Sequence, residues 1–187
     1  MKCPVCKTSD LNASSLDQNL SCRHCGNCGG NWIQSFEYWK WRDQNKGNLP
    51  ENILAPEDLP ANLPDPKTGT LKAKFCPECS SILIRYKVGH GVSFAIDQCG
   101  NCGGVWFDKD EWESLKGRNL HDDVYTIFTA PWQSKVRTQE SLRTQEEIYI
   151  KKFGEEGFEE IQRMKEWIEA HPRKQEIIAY LMQTTRQ

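Results

Sequence analysis

The sequence predicts a small α+β fold held together by bound metal rather than by one large apolar interior. Three observations carry this. Apolar residues make up only 37% of the 187 positions while charged residues reach 27%, too little for a large core, and modules short of core need a disulfide or metal staple. Nine cysteines are present, eight of them in Cys-x-x-Cys pairs. The chain also repeats itself.

Cys3-Pro4-Val5-Cys6 recurs as Cys76-Pro77-Glu78-Cys79, and Cys25-Gly26-Asn27-Cys28-Gly29-Gly30-Asn31-Trp32 recurs as Cys99-Gly100-Asn101-Cys102-Gly103-Gly104-Val105-Trp106. The spacer between pairs is 18 residues in the first copy and 19 in the second, which marks two copies of one unit. Two residues between cysteines allow a tight turn that aims both sulfurs at one centre. Two such turns facing each other complete a tetrahedron with Zn–S near ~2.3 Å. The expected ligands are therefore Cys3, Cys6, Cys25 and Cys28 in one ribbon, and Cys76, Cys79, Cys99 and Cys102 in the other. Two Zn2+ ions are the expected cofactors, zinc being preferred to mononuclear iron, which the same ligand set permits.

The first copy carries an ambiguity. Cys22, Cys25 and Cys28 are equally spaced, so a Cys22/Cys25 pair would also build a ribbon. Alignment with the second copy selects Cys25/Cys28, leaving Cys22 a spare thiol and His24 a surface residue. An iron–sulfur cluster would want a fourth cysteine followed by proline, which is missing. A redox Cys-x-x-Cys would want a single pair in a βαβ setting.

Within the second copy, residues 82–88 and 92–96 read as strands either side of Gly89-His90-Gly91. Asp108, with Glu111 three residues on, reads as a capping box opening a helix through Trp112 and Leu115 that stops at Gly117. The first copy offers a comparable, more aromatic helix around residues 36–41. Between the copies, residues 48–72 form a linker holding five of the nine prolines, extended rather than helical. The expected division is thus 1–47, 48–72, 73–118 and 119–187. In the last region cysteine disappears. Pro131 suits the first turn of a helix reaching Phe153 and closed by Gly154. A second helix carries Phe158, Ile161, Met164 and Ile168, and a third begins near Pro172. Their apolar faces are thin, and the echo 137–140/143–146 reads as solvated helix surface.

Charge and motif content exclude several functions. The formal charge is −2, and eight thiolates with two dications lower it to about −6. The cationic footprint of a nonspecific nucleic-acid binder is absent. No phosphate loop, nucleophile elbow or paired-carboxylate motif is found, and a zinc ion held by four cysteines keeps no open position for catalysis. His90 and His121 read as turn or solvent-exposed residues. No apolar run reaches the ~18 residues of a membrane helix, and the start Met1-Lys2-Cys3 lacks a signal-like stretch, so a reducing cytoplasmic setting is expected. Trp32 and Trp106 are expected to cover their own ribbons. Trp39, Trp41 and Trp112, on modules with little interior, are expected to anchor a protein partner.

The block from Cys76 through Cys99-Gly100-Asn101-Cys102-Gly103-Gly104-Val105-Trp106-Phe107-Asp108 to Glu111 resembles the transcription-factor-IIB-type zinc ribbon family. The first copy departs from it, with Asn31 for valine, Gln34 for aspartate and Cys22 added. The resemblance covers about 1–42 and 73–117. It implies a zinc-binding module, and in the transcription factor such a ribbon docks on RNA polymerase. The expected function is a non-catalytic adapter or assembly factor docking on another protein or complex. A transcription-associated protein touching polymerase or nucleic acid is the alternative, and a thiol oxidoreductase the third.

Overall fold

The computed structural model describes residues 1–46, 63, 64, 66 and 72–183. Most of the proline-rich linker expected at 48–72 lies outside the described residues. By internal contacts the chain divides into Met1–Val136 and Arg137–Gln187.

In the first unit each ribbon contributes three strands. The first supplies β1 (Asn12–Asp17), β2 (Leu20–His24) and β3 (Asn31–Ile33), followed by α1 (Ser35–Asn45). The second supplies β4 (Leu83–Gly89), β5 (Val92–Cys99) and β6 (Val105–Phe107), followed by α2 (Glu111–Lys116). The β4–β5 hairpin turns on Gly89, His90 and Gly91, all at positive φ, as the sequence anticipates. The ribbons are not separate modules. β3 pairs antiparallel with β6, matching Asn31 with Phe107, Trp32 with Trp106 and Ile33 with Val105. One sheet results, ordered β1-β2-β3-β6-β5-β4. Trp32 and Trp106 are equivalent residues paired with each other, so a local two-fold axis runs between them.

Strand alternation sorts the two faces of this sheet. Leu20, Cys22, Ile33, Phe94, Ile96, Val105 and Phe107 face an apolar core with Tyr38 and Trp41 from α1 and Trp112 and Leu115 from α2. Each helix buries residues i and i+3, the spacing of one face. Trp32 and Trp106 point the other way, among Cys3, Cys25, Cys76 and Cys99.

Three expectations about aromatic and histidine residues are corrected here. Trp41 and Trp112 are 3% and 1% exposed and pack edge-on to each other with centroids 5.6 Å apart. They cannot be surface anchors, because fusing two ribbons creates the interior that one ribbon lacks. Trp39 stays 39% exposed, with the Arg42 guanidinium 5.3 Å over its ring. His121 is buried against Trp41 and Trp112, and burial drives its imidazole down to about 4, so it is neutral at pH 7. His90 is half-buried beside Trp132.

The segment after residue 118 also belongs to this core. Leu120, Val124 and Ile127 are fully buried, the last two in α3 (Val124–Ile127). The Tyr38 hydroxyl donates to the His121 carbonyl and accepts from the Val124 amide, both at 3.1 Å. From the start of α4 (Ala130–Ala170), the Trp132 indole donates to the Val88 carbonyl at 2.9 Å.

The second unit contains the rest of α4 and α5 (Lys174–Leu181). Gly154, at φ 76° and ψ 164°, interrupts α4 where the sequence closes a helix. No residue of 137–183 is buried. Among the described residues, no helix is long and apolar enough to cross a membrane.

Each Trp lies over the other ribbon's glycine, rather than over its own ribbon as expected. A Cβ on Gly30 would sit 2.8 Å from Trp106 Cη2, and one on Gly104 2.7 Å from Trp32 Cη2. Gly30→Ala and Gly104→Ala should each therefore destabilise the first unit by about 1–3 kcal/mol, measured by denaturant unfolding. Unchanged stability in both would contradict the β3–β6 pairing.

Candidate metal centres

Four turns of one design build two sulfur clusters. In each, the residue four positions after the first cysteine adopts positive φ: Lys7, Gly29, Ser80 and Gly103. Its amide donates back to that cysteine's carbonyl, at 2.8 Å for Lys7 and Gly29, 3.0 Å for Ser80 and 2.9 Å for Gly103. Glycine meets this requirement without strain, and only in the second pair of each copy. The turn leaves backbone amides aimed at sulfur. Cys6 N–H donates to Cys3 Sγ at 3.3 Å, and Glu78, Cys79 and Cys102 N–H donate to sulfurs at 3.4–3.5 Å. Asn27 Nδ2 donates to Cys6 Sγ at 3.1 Å. Such contacts orient ligands and stabilise thiolate charge.

The sulfurs of Cys3, Cys6, Cys25 and Cys28 lie within 4.8 Å of one another, as do those of Cys76, Cys79, Cys99 and Cys102. The closest cross-pair separations are 3.6 and 3.9 Å in the first cluster and 3.6 and 3.4 Å in the second. A tetrahedron with Zn–S near ~2.3 Å has an S···S edge of about 3.8 Å. The donor set therefore fits two zinc ions. Before a metal binds, burial pushes the Cys3 and Cys76 thiols up to about 11 and raises Cys28 and Cys102 too. Cys79 is drawn down to about 6, first by the Ser81 hydroxyl. A dication compensates the cost of gathering four thiolates in one place.

Cys22 stands apart. It is buried on the opposite face of β2, level with the Ile96 position of the second copy, with its Sγ 3.8 Å from Asn31 Oδ1. Period-two alternation alone places it there. Cys22 and Cys25 are three residues apart, so they fall on opposite faces. His24 is not free either, since its Nδ1 contacts Asn31 Oδ1 at 2.9 Å.

The second ribbon holds a buried ionic group that sequence reasoning missed. Lys74 Nζ contacts Asp97 Oδ2 at 2.6 Å and Asp108 Oδ2 at 2.8 Å. Asp108 Oδ1 accepts from Trp106 Nε1 at 2.7 Å, so neither oxygen caps α2 as expected. Only the reciprocal half of the box forms, with the Asp108 amide donating to Glu111 Oε2 at 2.8 Å. Burial, with Asp108 close by, raises the Glu111 carboxyl from 4.5 to about 8. The one available signal was Asp97, a charge directly after the core residues Phe94 and Ile96.

Fold and sites together define a tandem zinc-ribbon protein, with two four-cysteine centres on one antiparallel sheet and a helical C-terminal region. Residues 2–44 and 75–118 match the model of the transcription factor zinc-finger family. The chain therefore carries two tandem copies of the transcription-factor-IIB-type zinc ribbon, a zinc-binding module that is typically non-catalytic. No curated protein and no solved structure is significantly similar to the chain.

Two measurements check the centres. Cys28→Ser should lower bound zinc from two equivalents per chain to about one, whereas Cys22→Ser should leave two. The Glu111 carboxyl is raised on folding, so its contribution is complete below pH 4.5 and is lost as pH rises through about 8. Glu111→Gln should flatten the fall in stability across that window, read by denaturant unfolding at several pH values.

Proposed function

We propose that the protein is a non-catalytic zinc-binding adapter that docks on another protein or complex, its two metal centres serving structure. One observation carries this reading. Residues 137–183 bury no side chain, yet present Leu142, Phe153, Met164, Trp167, Tyr180 and Met182 to solvent. A helix without its own core gains stability by covering its apolar face. The four-cysteine sites support the absence of chemistry at the metals, since a complete thiolate set leaves no coordination position for substrate. Trp39 remains a candidate contact, being exposed, whereas Trp41 and Trp112 do not.

The matching family's description as a transcription factor zinc-finger supports a second reading, a transcription-associated protein contacting polymerase or nucleic acid. A thiol oxidoreductase is the least supported, because it would need an exchangeable pair rather than sulfurs gathered in fours.

Affinity capture from native lysate with the full chain as bait distinguishes these. A protein partner should be retained independently of salt, and Phe153→Ser with Trp167→Ser should weaken its binding by about thirtyfold or more without loss of zinc. Steep loss of a captured nucleic acid with salt would instead favour the second reading.

A further inference from the structure

The internal duplication supplies its own control for one pocket. In the second ribbon the Trp106 indole donates to a carboxylate, and Asp97, paired with Trp106 across β5 and β6, holds the Lys74 ammonium. The two-fold places Trp32 where Trp106 is, Gln34 for Asp108, Glu37 for Glu111, Arg23 for Asp97 and Met1 for Lys74. The backbone agrees, because Leu11 N–H donates to the Met1 carbonyl as Leu83 N–H donates to that of Lys74, both at 2.9 Å.

These replacements open the first ribbon. Met1 is largely exposed and does not line the pocket. The Gln34 amide is turned toward the Glu78 carboxylate. Trp32 is fully buried, and its Nε1 has no hydrogen-bond partner among the described residues. A buried N–H without an acceptor is destabilising. Trp32 also lines a cavity of about 260 Å³, together with Arg23, Gln34, Glu37, Ser14 and Ser21, among others. Arg23 is the direct cross-strand neighbour of Trp32, within side-chain reach on the same face.

We propose that this pocket binds a carboxylate, which accepts from Trp32 Nε1 and pairs with the Arg23 guanidinium. The charge pattern of the second ribbon is inverted. There the chain supplies the carboxylates around a lysine, and here it supplies the cation and the donor, with no carboxylate at the positions of Asp97 and Asp108. Glu37 on the same wall favours a single carboxylate with a neutral or cationic remainder over a dianion. The carboxylate comes from a small acid or from an acidic side chain of a bound peptide. The site is independent of where the C-terminal helices dock.

The zinc-loaded full chain is titrated with propionate, and separately with a Gly-Ser-Glu-Ser-Gly peptide blocked at both ends. The readout is the assigned Trp32 indole N–H resonance. Expected is a saturable downfield shift with at least one of them, propionate pointing to a small acid and the peptide alone to a protein side chain. Arg23→Gln should weaken binding about tenfold or more with zinc content unchanged. Gln34→Asp should abolish the titration, because an internal carboxylate then takes the site as Asp108 does in the second ribbon. No shift with either probe, an equal shift with ethylammonium or the glutamine version of the peptide, or undiminished affinity in folded Arg23→Gln would overturn the assignment.

Discussion

The fold depends on three residues of one ribbon lying against three of another. Asn31–Ile33 and Val105–Phe107 are too short to be stable strands alone, since an isolated two-stranded ribbon is marginal in water. Their pairing closes a six-stranded sheet. That sheet gives the helices of both copies a common apolar face and brings the tryptophans together between the sulfur clusters. Glycine is required at positions 30 and 104 because an indole from the opposite copy occupies the space of the missing side chain. The metal turns set the geometry of each ribbon's ends, and the exchanged tryptophans join the ribbons.

Within this near-symmetric frame, the two copies have diverged where symmetry is not needed for packing. The tryptophans that pair across the axis and the eight cysteines are retained, and the helix positions 38/112 and 41/115 both hold buried side chains, though of different kinds. The polar surroundings of each tryptophan are not. One indole N–H is satisfied by a carboxylate that belongs to a buried ion network, which is costly to desolvate and so depends on all its members. The other has no partner among the described residues, and its tryptophan lines a cavity.

Much of this was legible in the sequence because it is local. Cysteine spacing, the glycines after the second pair, the β4–β5 turn and the break at Gly154 each reflect constraints spanning a few residues. The duplication even contains the answer for Cys22, which occupies the place of Ile96, a core residue. The joining of the ribbons was not legible, because β3 and β6 are too short to display a period and their partners lie more than seventy positions apart. Reading each ribbon as independent then made Trp41 and Trp112 look as though they had no interior to enter. The same assumption ended the second module at residue 118, although Leu120, Val124 and Ile127 complete the shared core.

Antiparallel pairing of equivalent strands about a two-fold axis is the geometry of an isologous homodimer interface. Carrying both halves on one chain makes their association unimolecular, with an effective concentration that dilution does not change. It also lifts the rule that binds any true homodimer, in which a substitution must be accepted on both sides at once. Arg23 and Asp97 occupy matching places with opposite charge, a combination that two identical subunits could never present.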